Sequence, residues 1–329
     1  VVGYGSQKKV DVTGSIASVT GKDIARSPMA NLTNSIGGKL AGLRVVQRSG
    51  EPGNDASNID IRGYGKALVI VDGMPGSLGQ IDPNEIESVT ILKDASAAVY
   101  GIRAANGVIL VTTKRGGTQA TKIELNSTFS WQRPTIYPEL CNAAQFVELT
   151  DEDLVNRGKQ PTYGRENLEK WRAGGEGYES TDWYDEVVRP WAPQQQYNLN
   201  VRGGTEKASY FASLGYLNEG GMWRTNSSNF QRFNFRSNMD VKITDALSAS
   251  LSLSGQKEQR HSSPWNPFYI MASIQQTFPT SHPYANNNPN YYAVTNISAR
   301  NVKAVTDPSV MGFDKVQNKR FEGTASLNY

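Results

Sequence analysis

Beyond residue 120, apolar and polar positions alternate through segments of about ten residues, the period at which successive strand side chains point to opposite faces. In 121–131, Ile123, Leu125, Phe129 and Trp131 share one face, and Lys122, Glu124, Asn126, Thr128 and Ser130 the other. Residues 196–202 set Tyr197, Leu199 and Val201 against Asn198, Asn200 and Arg202, and 208–216 align Tyr210, Ala212, Leu214 and Tyr216. In 232–243, Phe233, Phe235, Met239, Val241 and Ile243 oppose Arg232, Asn234, Arg236, Asn238 and Asp240. Leucine or alanine alternates with serine over 247–255, and 320–329 set Phe321, Ala325, Leu327 and Tyr329 against Arg320, Glu322, Thr324, Ser326 and Asn328.

The connections carry a separate signal. Those at 203–207 and 244–246 are tight, whereas 132–195, 217–231 and 256–319 are long, the asymmetry of a membrane barrel with short periplasmic turns and long outer loops. On that polarity Trp131, Tyr197, Tyr216, Phe233 and Phe235 fall near the outer strand ends, where an interfacial girdle belongs. A soluble sandwich also alternates, but it does not need one face to stay apolar over every strand with all long loops at one end. About six strands cannot close around a domain, since the smallest membrane barrels need about eight and plugged ones about 22. The expectation is a barrel that this chain begins and does not finish, with its last strand broken off midway.

The first 118 residues have another pattern: a β-rich stretch at 12–20, then Leu32, Ile36 and Leu40 at helical spacing within 31–40, with Gly42 as the stop. Short β-prone runs follow at 43–48, 58–63, 67–73, 86–93 and 107–114, separated by Gly, Pro, Asn and Asp. Asp82 and Pro83 open a helical turn, and Asp94 can cap the segment after it. Together they make a small α+β domain. Gly63, Gly73, Gly101 and Gly107 suit turns that need positive φ, and Arg62 and Asp72 suit structural ion pairs or hydrogen bonds.

The motifs IRG (61–63), VDGMP (71–75), DPNEIESVTILKDASAAVYG (82–101) and RAANGVILVTTKRG (103–116) stand in one order. In that order the chain resembles the plug of SusC/RagA-like TonB-dependent outer-membrane receptors, with Arg62, Gly63, Asp72, Gly73, Asp94, Gly101, Arg103, Asn106 and Gly107 as its motif positions. The opening VVGYGSQKK is similar to the segment at or just after the TonB box, so the resemblance assigns Val1, Val2, Gly3, Tyr4 and Gly5 to the TonB-proximal segment. The motif STDWYDEVVRP (180–190) is similar to one before the second barrel strand of the same family. The fold class implied is an α+β plug domain at 1–118, followed at 119–329 by the first antiparallel strands of a large transmembrane β-barrel, incomplete in this chain. The implied function is energised import of an oligosaccharide or peptide across a Bacteroidota-type outer membrane. TonB and a SusD-like surface lipoprotein are the implied partners, beside the lipid itself. A surface glycan-binding or adhesin module without transport is the competing reading, and an outer-membrane enzyme a third.

Composition narrows this further. Lys+Arg 34 against Asp+Glu 31 leaves +3, too little over 329 residues to imply nucleic acid as a partner. One cysteine, Cys141, and two histidines, His261 and His282, offer no usual transition-metal arrangement, so no metal and no cofactor is expected. No apolar run approaches the roughly 18 residues of a transmembrane helix. Helical pieces are expected in the first long loop at 143–156, 165–171 and 182–188. There Asp182, Asp185 and Glu186 suit a helix N-terminus better than a catalytic pair, so no catalytic residue is assigned. The third long loop carries Trp265, Phe268, Tyr269, Tyr284, Tyr291 and Tyr292 among Asn and Pro, side chains able to stack on sugar rings or to pack the loop on itself.

Overall fold

A computed structural model describes residues 16–27, 29–47, 49–93, 97, 99–296 and 301–329. The TonB-proximal segment Val1–Gly5, the start of the first β-rich stretch and the capping position Asp94 lie outside the described residues.

The N-terminal unit runs β1 (Ile16–Thr20), α1 (Gly21–Ala25), α2 (Leu32–Ser35), β2 (Leu43–Val46), β3 (Asn58–Ile61), β4 (Leu68–Val71), β5 (Met74–Pro75), β6 (Ile86–Leu92) and β7 (Val108–Thr113). Five of these strands form one sheet in the order β1-β6-β7-β4-β5, and β2 and β3 pair as a separate hairpin. β4 and β7 are parallel while the other neighbours are antiparallel, so the sheet is mixed. Its core packs Ile24, Leu32, Ile36 and Leu40 onto Val89, Ile91, Ile109 and Val111.

The helix expected over 31–40 is shorter than its spacing implied. Asn31 caps it by accepting from the Thr33 N–H, but helical bonding stops at Ser35 because Gly37 and Gly38 follow, the latter at φ +70. Leu32, Ile36 and Leu40 are all buried nevertheless, delivered by a turn and not a continuous helix. At the β4–β5 hairpin Asp72 and Gly73 both have positive φ, as a two-residue type I′ turn requires.

The second unit is a six-stranded antiparallel sheet in chain order: β8 (Gln119–Gln132), β9 (Ala192–Gly204), β10 (Ala208–Gly220), β11 (Asn229–Lys242), β12 (Ser248–Ser262) and β13 (Asp314–Asn328). β8 and β13 do not pair with each other, so this wall stays open. The strands outrun the alternation that announced them, with β9 starting at Ala192, β10 reaching Gly220 and β12 reaching Ser262. About ten residues suffice to cross the hydrocarbon. Past that level both faces turn polar, as in Gln194, Gln195, Asn218 and Glu219, while the ladder continues. The outer connections shorten accordingly to 133–191, 221–228 and 263–313.

Burial on this wall is inverted relative to a soluble protein. Gln194, Gln196, Asn198, Asn200, Ser213, Arg232 and Asn238 are buried, whereas Ile123, Leu125, Phe129, Leu214, Phe233 and Leu327 are exposed. An apolar face left outward over every strand is what hydrocarbon demands. Near the long-loop end, aromatic rings run across four strands. Phe129 meets Tyr197 at 5.7 Å, Tyr197 stacks on Tyr216 at 6.2 Å, and Tyr216 meets Phe233 at 4.6 Å.

Leu214 lies mid-strand and 60% exposed. In lipid, Leu214→Arg is expected to lower the folding free energy by about 2–4 kcal/mol, measured by denaturant titration into bilayers. In a water-facing sheet the same change falls within about 0.5 kcal/mol, and that outcome overturns the membrane reading.

Candidate functional site

One short element carries the two buried acids of the contact between the units. Asp82 and Pro83 start a single 3-10 turn at Pro83–Glu85, Asp82 capping it by accepting from the Asn84 N–H at 2.8 Å and from Asn84 Nδ2 at 3.0 Å. Residues three apart in a 3-10 turn share a face, so Asp82 and Glu85 project together toward the wall.

β11 receives them. Alternate strand residues face one way, and each inward position from 232 to 240 touches the N-terminal unit or the linker that leaves it. Arg232 donates through Nη2 to Asp82 Oδ2 at 3.0 Å and through Nη1 to the Ala30 carbonyl at 2.9 Å. Asn234 Nδ2 donates to Glu85 Oε1 at 2.6 Å, and Arg236 Nε to Glu85 Oε2 at 2.7 Å. Asn238 Nδ2 reaches Thr113 Oγ1 at 3.0 Å and the Lys114 carbonyl at 2.7 Å, and Asp240 pairs with Arg115 at 2.8 Å. β9 and β10 add Asn198 to Asp82 at 3.4 Å and Ser213 to Glu85 at 3.2 Å.

Burial sets the energetics. Both side chains of the Arg232–Asp82 pair are 2% exposed. Such a pair gains little over a well-packed apolar contact, because desolvation offsets attraction, yet severing it leaves a buried charge uncompensated.

The linker also fits closely. Gly116 lies so near Tyr210 that an added Cβ would come within 2.2 Å of the Tyr210 backbone nitrogen, which restricts the position to glycine. Asp72 accepts from the Thr113 N–H at 2.9 Å and from Thr113 Oγ1 at 2.6 Å, tying the I′ turn to the end of β7.

The motif positions picked from the sequence do not converge. Arg62 and Gly63, both at positive φ, form an exposed turn closed by Tyr64 N–H to the Ile61 carbonyl. Gly101, at φ +73, heads a 3-10 turn carrying an exposed Arg103. Asn106 Nδ2 makes a long 3.4 Å bond to the Lys66 carbonyl, and Gly107, at φ +93, is buried against Ile61 and Leu92.

Above the wall the three long connections share one core. α3 (Ala143–Asn156), α4 (Gly164–Ala173) and α5 (Trp183–Val187) come from the first, and α6 (Pro267–Gln276) and α7 (Pro308–Met311) from the third. Trp183, Tyr184, Val187 and Val188 pack on Trp223 of the second connection and on Ile270, Ile274, Val302 and Val305 of the third. Asp182 caps α5 by accepting from the Tyr184 and Asp185 N–H groups. Asp185 pairs with Arg224 and Glu186 with Lys303, each at 2.5 Å, so these acids are spent on structure.

The six loop aromatics divide. Trp265 packs against the shared core. Tyr284 and Tyr292 stack at 5.4 Å, Lys303 lies 4.7 Å over the Tyr284 ring, and the Tyr292 hydroxyl donates to Asp307 at 2.5 Å. Burial first, and then the Asp307 carboxylate, push the Tyr292 phenol well above its ordinary range. Phe268, Tyr269 and Tyr291 stay exposed, the first at 73%.

Sequence reasoning passed over Asp82, Glu85, Arg232 and Arg236 as a group. The signal was present as arginines two places on either side of Asn234 and as acids three apart around Pro83, but nothing in one strand says what its polar face meets.

Arg232→Met is expected to cost about 3–5 kcal/mol in seating the N-terminal unit, read as protease susceptibility of residues 16–113 in the folded receptor. The double change with Asp82→Asn should recover a large part of it, since no unpaired buried charge then remains.

Residues 8–108 match the family model described as TonB-dependent Receptor Plug Domain. The chain is 35% identical over 261 residues to TonB-dependent receptor P26 of Formosa agariphila, covering 75% of this chain and 25% of that protein. It is 32% identical over 251 residues to TonB-dependent receptor SusC of Bacteroides thetaiotaomicron, covering 71% and 23% respectively. The chain thus spans about a quarter of the length of the curated relatives it matches. Among solved structures, a chain of the RagAB peptide importer in its open-open state shares the fold at a TM-score of 0.79 and 24% identity, covering all of this chain and 40% of that one.

Proposed function

We propose, because the chain belongs to the SusC-like TonB-dependent receptors, that it forms the plug and the first wall strands of an importer in a Bacteroidota-type outer membrane. The plug occupies 1–118 and the wall 119–329. Residues Val1, Val2, Gly3, Tyr4 and Gly5 belong to the segment that TonB grips, and a SusD-like lipoprotein covers the loop layer. The cargo is an oligosaccharide or a peptide, held outside by the exposed aromatics Phe268, Tyr269 and Tyr291.

The observation that carries this reading is the plug–wall contact. Among the described residues it is hydrogen-bonded and ionic almost throughout, with one small apolar cluster of Ala30, Leu217 and Phe230. Polar contacts exchange for water at modest net cost, about 0.5–1.5 kcal/mol each when both partners are wetted. An apolar interface of the same extent resists separation far more. A plug held this way seals at rest and yields to a pull.

Deleting Val1–Gly5 with the residues upstream should abolish ligand accumulation by cells while surface binding persists. Undiminished accumulation overturns import and favours a binding module without transport. Phe268→Ala, Tyr269→Ala and Tyr291→Ala should each weaken ligand binding by about 1 kcal/mol in calorimetry with the receptor thermally unchanged. Tyr292→Phe, by contrast, should lower the stability of the loop layer, because it removes the bond to Asp307.

A further inference from the structure

Glu219 lies on the inward face of β10 and is 3% exposed, although the wall is open on both sides. Its register neighbours are Gln194 of β9 and Phe230 of β11. Oε1 accepts from Gln132 Nε2 at 3.0 Å, and Oε2 is buried with no hydrogen-bond partner among the described residues. The plug covers this corner. Ala30 packs on Leu217 and Phe230, and Gly53 lies against the Phe230 ring.

The charges around it do not compensate it. Arg232, one row deeper on β11, commits both terminal nitrogens to Asp82 and Ala30. Asp55 of the plug, bonded to Asn34 at 2.6 Å, adds a further negative group, and burial pushes its carboxyl above the usual range. On β12, Glu258 stands opposite Arg232 and Arg260 opposite Phe230, a strand removed from Glu219. Among the described residues the Arg232 guanidinium thus faces Asp55, Asp82 and Glu219, and of these three acids it bonds to Asp82.

We propose that Glu219 holds a proton while the plug is seated, and that its ionisation loosens the plug, so that seating of the plug in the wall depends on pH. A carboxylate with one oxygen buried away from any donor, and with no opposite charge bonded to it, neutralises rather than stay charged. When the plug withdraws, water reaches the inner face, the carboxyl returns to an ordinary value of about 4.3, and the proton passes to solvent. The seated value lies above the open one, so seating is firmest below the open value and weakens as pH rises from there to the seated one, by at most about tenfold in the equilibrium per pH unit, with no further loss above it. The inference concerns the plug and wall alone and holds whether or not a solute is imported.

The test draws the plug of the full-length receptor in bilayers from its wall by a tether at the N-terminus, recording the rupture force between about pH 5 and about pH 8.5. The wild type should weaken as pH rises, and Glu219→Gln, a neutral isostere, should hold a nearly constant force close to the wild-type acid value. Equal pH profiles for the two proteins overturn the proposal. So does a wild type whose force stays flat while Glu219→Gln is weaker at every pH, because Glu219 is then a charged partner. Should the variant not insert, infrared difference spectra of the wild type decide instead. A protonated carboxylic carbonyl band near neutral pH supports the inference, and its absence overturns it.

Discussion

A carboxylate taken out of water must find hydrogen bonds or an opposite charge, and most of this molecule follows from where two of them go. Asp82 and Glu85 leave the plug on one short turn, and a single strand of the wall answers both. Because β11 presents alternate residues inward, one polar ladder from Arg232 to Asp240 fixes height, rotation and register of the plug at once. A shift by one residue would turn lipid-facing phenylalanines onto these acids. Specificity here comes from polar groups.

The same constraint explains what could be read from the chain. Lipid on one side and a wet interior on the other impose a strict period of two, and that period disclosed the wall, its polarity and the aromatic ring from Phe129 to Phe233. It failed where the constraint ends: above the lipid both faces of β9, β10 and β12 turn polar, and the strands looked like loops. In the plug, Leu32, Ile36 and Leu40 were legible as core, whereas Gly37 and Gly38 overruled the continuous helix. Contacts between Asp82 and Arg232 join residues 150 apart, which no local pattern can announce.

The loop layer was the least legible part, for a related reason. Its aromatics read equally as ligand platform or as packing, and they divide between the two: Tyr284 and Tyr292 are bound up with Lys303 and Asp307, while Phe268, Tyr269 and Tyr291 are open. α6 was missed because its apolar face is short and flanked by Pro267 and Pro279. Trp183, held through its indole N–H to the Phe278 carbonyl at 3.0 Å, anchors connections that are distant in sequence into one body. They are therefore set to move together.

The linker between β7 and β8 imposes a direction on any disassembly. Residues 114–118 span at most about 17 Å when stretched, and Gly116 is wedged against Tyr210, so the C-terminal side of the plug is leashed to the wall. At the other end, among the described residues, β1 is an edge strand paired with β6 alone. Were β1 stripped from the sheet, β6 would keep its bonds to β7. The plug is thus built like a seam sewn to the wall at one end, and its edge strand can part from the sheet without the plug being lost from that end.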